Sequence, residues 1–243
     1  STVGGANFRD ADLTLATFKS SGGCSSATFT AGTTFCGTVM CDGSVRNDDC
    51  PGGPPPGFCC TNAQCPVGQE CQGSACCTTD PVAAIGAAAP GSTVRICAGT
   101  YRVVNLNVSK NLTVVGAGAG VTILDAQRAG RVLFVGGGTV EVRDLTITGG
   151  KFATNGGAII NAGTLTLIGV TVRDSEAAFF GGGISNSGGA TLTLGAGTRI
   201  EFNKAAGGSG GGIFNSGSAT IAPGAVVTNN TPDNCEPTIG TCS

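Results

Sequence analysis

A six-residue motif occurs three times in the second half of this chain. "GGAIIN" at residues 156–161 returns as "GGGISN" at 181–186 and as "GGGIFN" at 210–215. A self-similar interval of about 20 to 50 residues is typical of chains that stack one supersecondary unit on the next. The chain is therefore expected to form stacked coils and not a single closed core.

Alternating apolar residues accompany these motifs. The segments "TVEVRDLTIT" (139–148), "TLTLIGVTVR" (164–173) and "ATLTLGAGTRIEF" (190–202) superpose with a period of two, which is that of a β-strand with one buried face. We expect residues 92–230 to form about six coils of parallel strands. The predicted interior stack consists of Ile159, Ile184, Ile213, Leu165, Leu167, Leu192 and Leu194.

Each copy of the motif ends in asparagine. Asn161, Asn186 and Asn215 would lie at equivalent positions of neighbouring coils, ~4.8 Å apart. At that spacing their amides can form a ladder of the kind found in cross-β structures. The paired glycines before them allow a tight corner with positive φ. Stacking alone is enough to explain the motif, so these asparagines are predicted to be structural.

The alternation of strands with glycine-rich corners, together with "AAIGAAAPGSTVRICAGTYR" (83–102) and "KNLTVVGAGAGVTILDA" (110–126), resembles the right-handed parallel β-helix superfamily. Pectate-lyase-like proteins and the passenger regions of polymorphic outer-membrane proteins belong to it. The resemblance covers residues 80–232 and implies an all-β, right-handed parallel β-helix, or β-solenoid. Because this scaffold hosts lyases, hydrolases, adhesins and inert stalks, it implies a fold and not a function.

The first third of the chain differs from the rest. Residues 6–20, "ANFRDADLTLATFKS", resemble the pentapeptide-repeat family, although an ordinary amphipathic segment would also explain the pattern. The stretch that follows is rich in Cys, Pro and Gly and poor in large apolar residues. We therefore expect an N-terminal pentapeptide-like β-coil at 1–40, a disulfide-stapled insert at 41–80, and the parallel β-helix with a short tail at 81–243.

Cysteine usage indicates an oxidising compartment. The chain has 13 Cys and no His, which favours disulfides over zinc, the alternative for the insert. Cys36–Cys50 and Cys235–Cys242 are the simplest expected loops, and the odd count leaves one thiol free or bonded to another chain. The disulfide candidates are Cys24, Cys36, Cys41, Cys50, Cys59, Cys60, Cys65, Cys71, Cys76, Cys77, Cys97, Cys235 and Cys242.

Secretion to the cell surface is the predicted location. The only methionine is Met40, so we expect that a secretory signal peptide preceded Ser1. No run of 18 apolar residues occurs, which argues against membrane insertion. A net charge of −2 with 12% charged residues argues against nucleic acid and anionic membranes as partners.

No catalytic, metal or cofactor site is expected. In the register above, the carboxylates of residues 80–232 do not stack into a patch that could supply the six to eight oxygens of a calcium site. The pairs Arg143–Asp144 and Arg173–Asp174 should not converge unless a bend intervenes, because adjacent strand residues point to opposite faces. The acids considered are Asp80, Asp125, Glu141, Asp144, Asp174, Glu176 and Glu201.

A partial threonine ladder suggests ice binding as a further hypothesis. Thr139, Thr164 and Thr191 align, and Thr166 aligns with Thr193. An ice-binding array would have to extend over more coils than these. The preference of β-branched residues for strands explains the ladder without any ligand.

The sequence supports two hypotheses about function. The first is a secreted, non-catalytic structural β-helix that serves as a stalk, an adhesin or a filament subunit, with itself and a surface polysaccharide as partners. Head-to-tail assembly is expected because neither end of the solenoid offers an amphipathic helix as a cap, which leaves unpaired strand edges. The alternative is a carbohydrate-active enzyme of the polysaccharide-lyase type on the same scaffold.

Overall fold

The computed structural model describes residues 38–39, 45–46, 65, 67–72, 75–240 and 242. The chain divides into two compact units, Ser1–Cys77 and Thr78–Ser243. In the first unit, β1 (Thr38–Val39) pairs antiparallel with β2 (Val45–Arg46). A second two-stranded sheet joins β3 (Gln69–Gln72) to β4 (Ala75–Thr78). The pentapeptide-like stretch and most of the predicted insert lie outside the described residues.

Three six-stranded parallel sheets build the second unit. The first sheet consists of β5 (Thr93–Arg95), β8 (Leu112–Val115), β11 (Thr139–Arg143), β15 (Thr164–Ile168), β19 (Thr191–Leu194) and β23 (Ser218–Ile221). The second consists of β6 (Gly99–Arg102), β9 (Thr122–Asp125), β12 (Thr146–Thr148), β16 (Thr171–Arg173), β20 (Arg199–Glu201) and β24 (Val226–Thr228). The third consists of β7 (Leu106–Val108), β10 (Leu133–Val135), β14 (Ile159–Asn161), β18 (Ile184–Asn186), β22 (Ile213–Asn215) and β25 (Cys235–Glu236).

The chain visits the first, second and third sheets in turn, and we call each such set of three strands a rung. The stacked parallel strands confirm the all-β solenoid predicted from the repeats. The sixth rung closes with β25, beyond residue 230, where the predicted coils ended. Rungs three to five contain an additional, fourth sheet of three short strands, which are β13 (Lys151–Phe152), β17 (Glu176–Ala177) and β21 (Lys204–Ala205).

Like residues stack on like residues in the core. Leu165 pairs with Val140 on one side and Leu192 on the other, and Ile159, Ile184 and Ile213 stack in the third sheet. These side chains are at most 1% exposed. Fully burying an aliphatic side chain contributes about 1.5–3 kcal/mol. The repeated columns of Ile, Leu and Val therefore stabilise the whole stack.

The glycine pair of each motif turns the corner before the third sheet. Gly156, Gly181 and Gly210 have φ of +67°, +67° and +65°, a region that other residues adopt only with strain. The second glycine packs against backbone, since a Cβ at Gly157 would collide with the carbonyl groups of Glu176 and Gly182. The two glycines thus have different roles, one in backbone conformation and one in close approach.

A short helix, α1 (Pro81–Ala87), covers the first rung of the second unit. Asp80 caps it by accepting a hydrogen bond from the amide of Ala83, and Ile85 is 1% exposed within the core. The expectation that neither end offers a helical cap is therefore wrong at this end. The sequence pattern missed α1 because only Pro81 and Ile85 are buried in so short a helix. Among the described residues, no helix is long and apolar enough to cross a membrane.

Candidate functional site

The predicted asparagine ladder lies at the end of the third-sheet strands. Asn161 Nδ2 donates to Asn186 Oδ1 and Asn186 Nδ2 donates to Asn215 Oδ1, each at 2.7 Å. The same amides donate to the carbonyl oxygens of Thr191 and Ser218. Asn161 and Asn186 are fully buried, and a buried amide must be hydrogen-bonded to avoid a desolvation cost. The ladder holds the rungs together and leaves no amide group available to a ligand.

A second polar ladder, which the sequence analysis missed, follows the second sheet. The Ser175 amide donates to Asn203 Oδ1 at 3.1 Å, and the Asn203 amide donates to Asn230 Oδ1 at 2.9 Å. The residue before each of these polar side chains has positive φ, as at Asp174 (52°) and Phe202 (55°). A Ser or Asn two places after the second-sheet strands of rungs four to six was the pattern that could have revealed it.

An open groove of about 550 Å³ lies along the outer side of the fourth sheet. It spans residues from rungs two to five, and small side chains make its surface accessible to a ligand. Its polar groups come from three separate turns of the chain, so no local sequence motif marks it. The groove is lined by Arg128, Lys151, Phe152, Ala153, Glu176, Ala178, Ala206 and Gly207.

Glu176 is the only carboxylate among the residues lining this groove, and two cations engage it. Its Oε2 lies 2.6 Å from Arg128 Nη2 and its Oε1 lies 3.3 Å from Lys151 Nζ. Partial burial acts to raise the pKa of Glu176, but the hydrogen bonds and charges of Arg128 and Lys151 outweigh it and hold the pKa below its ordinary value. Lys204, on the neighbouring strand in register with Glu176, adds a further exposed cation.

Arg131 supports the loop beside the groove. It is 8% exposed, donates from Nε to the carbonyl of Gly156 and from Nη2 to that of Asn155, and lies 3.8 Å above the ring of Phe152. Burial lowers its pKa to about 10. Carbonyl dipoles and the aromatic face together solvate a buried guanidinium that has no carboxylate partner among the described residues.

Two of the other glutamates form local ion pairs on the solenoid. Glu141 pairs with Arg143, and Glu201 pairs with Arg199, each with an arginine two residues away on the same strand face. Glu141 and Glu201 lie in different sheets, so they do not face each other across a cleft. Among the described residues, no group of three or more His, Cys, Asp or Glu could hold a metal ion.

A further ion pair forms between adjacent residues at a bend, the one case in which the sequence allowed such a pair to converge. Arg173 Nη1 lies 3.3 Å from Asp174 Oδ2. The strand ends at Arg173, and the left-handed conformation of Asp174, with φ of 52°, turns its side chain back toward its neighbour. Both side chains are largely exposed, which favours a solvated surface pair.

All seven cysteines of the described residues are in disulfides. Cys65 is joined to Cys76, and Cys235 is joined to Cys242. The second bridge closes the segment that follows β25. Cys71, Cys77 and Cys97 are also bonded. The candidates outside the described residues are Cys24, Cys36, Cys41, Cys50, Cys59 and Cys60.

Comparison with known proteins finds no match to this chain among family models, curated proteins or solved structures. The groove combines a small-residue floor with a few convergent polar groups, which is the usual composition of a ligand site. This arrangement can bind a ligand through hydrogen bonds and through attraction between opposite charges.

Proposed function

We propose that the chain is a secreted, non-catalytic member of the right-handed parallel β-helix superfamily that acts at the cell surface as a stalk or adhesin. The observation that carries this proposal is the state of Glu176, whose carboxylate is held ionised between Arg128 and Lys151. A general acid needs a raised pKa, and a lowered pKa makes a carboxylate a weaker base. The groove is therefore better suited to binding than to catalysis.

The disulfides support an extracellular location. Such bridges persist in oxidising compartments and are rare in reducing ones. Alkylation of the denatured, unreduced protein should label one or very few of the 13 cysteines. Labelling of six or more thiols would contradict secretion.

A surface polysaccharide is the proposed ligand of the groove. Ala178, Ala206 and Gly207 leave room for a flat ring to approach the backbone, and the charged groups beside them offer donors and an acceptor to hydroxyl groups. A chain of sugar units could extend across several rungs of such a groove. The same rungs are fixed by the two polar ladders, so the groove would bind with little loss of conformational entropy.

Affinity electrophoresis through gels that contain neutral or acidic polysaccharide tests this ligand. We expect at least one polysaccharide to retard the protein, and the double variant Lys151→Ala with Lys204→Ala to lose the retardation. Arg199→Ala in the second sheet is the control and should migrate like the wild-type protein. Equal retardation of all three proteins would show that the polysaccharide binds outside the groove. If no polysaccharide retarded the wild-type protein, the proposed ligand would be rejected and only the role as a stalk would remain.

The lyase alternative has a separate readout. A lyase that acts on acidic polysaccharide generates an unsaturated product with increased ultraviolet absorbance, whereas a binding protein generates none. We expect no change in absorbance with or without added calcium. A steady increase that the Glu176→Gln variant abolishes would favour the enzyme and reject the non-catalytic proposal.

Self-association forms the remaining part of the proposal. Stacking of one copy on the first rung of another requires α1 to leave the site that Ile85 fills. Head-to-tail assembly is thus proposed to depend on displacement of this helix. Sedimentation and negative-stain microscopy of the native material test it, and a uniform monomer at high concentration would reject the filament while leaving the stalk.

A further inference from the structure

Two columns of hydroxyl groups lie on the outer face of the first sheet. Thr164 pairs with Thr191, which pairs with Ser218, and in the neighbouring column Thr166 pairs with Thr193, which pairs with Thr220. The alternation along each strand places all six side chains opposite the buried leucines. We call these six residues the threonine patch. It covers rungs four to six without interruption.

The hydroxyl columns continue beyond the patch. Thr139 extends the first column into rung three, and Thr113 and Thr93 occupy the second column in rungs two and one. The array is therefore larger than the few coils expected from sequence, and that objection to ice binding does not hold. One residue breaks the second column, since Glu141 replaces threonine in rung three and pairs with Arg143.

The hydroxyl groups of the patch differ from those of the buried threonines. Thr122 and Thr198 donate to main-chain carbonyls at 2.9 Å, and Thr146 accepts from the Gly120 amide. Within the part of the chain that the structure describes, none of the patch hydroxyls bonds to a protein group. All are exposed or half-buried, so their hydrogen bonds are made to water.

No charged residue lies within the patch. Ile168 and Gly195 lie beside it in contact with each other, and the outer face of the first sheet has no charged residue in rungs four to six. A charged group would hold a disordered hydration shell around itself. Methyl and hydroxyl groups without charges leave bound water free to adopt one regular arrangement.

The spacing of the hydroxyl groups is that of a β-sheet in both directions. Neighbouring rungs are ~4.8 Å apart, and alternate residues along a strand are roughly 6.6 Å apart. Both repeats are close to oxygen spacings in the lattice of hexagonal ice. Water bound to such hydroxyls is already placed near lattice positions, so the usual entropic cost of immobilising it, up to about 2 kcal/mol for each molecule, is reduced.

We propose that the threonine patch binds the surface of ice crystals. The ligand is the ice lattice itself, and the outer face of rungs four to six presents hydroxyl and methyl groups to it. This proposal does not rest on the glycan groove, which lies along the fourth sheet. Adsorbed protein would restrict growth of the crystal between its attachment points.

A pair of matched double variants tests the site. Thr166→Lys with Thr193→Lys places two charges in the centre of the patch. Thr148→Lys with Thr228→Lys places the same charges on the outer face of the second sheet, at threonines that are equally half-buried. Melting curves followed by circular dichroism should show that both variants fold, because all four side chains point outward.

Growth of single ice crystals in a cooled microscope stage is the measurement. We expect faceted crystals and a delay of freezing with the wild-type protein and the second-sheet variant, and round, unhindered crystals with the patch variant. Serum albumin at equal concentration is the blank. A wild-type protein that behaves like albumin would overturn the proposal, and so would equal activity of the two variants.

A gain-of-function variant provides an independent test of ice binding. Glu141→Thr with Arg143→Ile removes the ion pair that divides the second column, and it joins Thr113 to Thr166 through a continuous row of hydroxyls. The freezing delay should at least double, because the uninterrupted second column grows from three rungs to six. An unchanged or smaller delay in the folded variant would contradict ice binding by this face.

Discussion

At the scale of single residues, Asn186 shows how strictly a buried polar side chain depends on its hydrogen-bond partners. It is fully buried, and its amide accepts from Asn161 and donates to both Asn215 and the carbonyl of Ser218. Asn186→Ala would leave partners unsatisfied and should destabilise the protein by about 2–4 kcal/mol. Urea unfolding measures this cost. Asn107→Ala, at an exposed site, is the control, and equal effects of both changes would contradict a structural ladder.

Glu176 gives the groove a predicted pH dependence. Arg128 and Lys151 hold its folded-state pKa below the ordinary value of 4.5, so the pairing stabilises the fold above that pH. The contribution is lost as the pH falls through the lowered folded-state pKa. The difference in Tm between wild type and Glu176→Gln should therefore be largest near neutral pH and shrink as the pH falls below 4.5. A difference that stays constant over this range would contradict the pairing, and added salt should reduce it.

At the scale of strands, the register can be tested with one buried and one outward position. Leu167 is fully buried between Val142 and Leu194. Leu167→Asp places an unpaired charge in the core and should abolish folding. Thr193→Asp changes an outward residue on the next strand and should alter stability by about 0.5 kcal/mol or less. Soluble expression and thermal melting distinguish them. A Leu167→Asp variant that melts like the wild type would show that the register is wrong.

The strands could be predicted because their information is local and repeated. Val140, Leu165 and Leu192 each occur in an alternating pattern that needs no knowledge of distant residues. Helix α1 was missed because a single buried isoleucine on a background of alanines has no helical period. The groove was missed for a different reason, since Arg128, Lys151 and Glu176 come from separate rungs and meet only when the coils are stacked. Stacking turns weak local patterns into long columns, but it also creates sites that no short motif encodes.

At the scale of the whole molecule, the first rung of the second unit is where the proposed head-to-tail contact would form. Ile85 of α1 packs with Leu106, Val108 and Val114, so it closes the interior that a second copy would otherwise extend. Edge strands and exposed core residues are templates for association when they are uncovered. The proposed head-to-tail contact at this end would therefore require displacement of this short helix.

Ile85→Asp should promote that contact, because an unpaired charge in the core removes α1 from the first rung. We expect this variant to melt at a lower temperature and to sediment with a weight-average mass that rises with concentration. Val82→Asp provides the matched control, since Val82 lies in the same helix but is 46% exposed, and it should sediment like the wild-type protein. Sedimentation velocity over a concentration series measures all three proteins. If Ile85→Asp stayed monomeric while folded, the first rung would not be a template for stacking, and if both variants associated equally, the added charge and not the lost cap would be the cause.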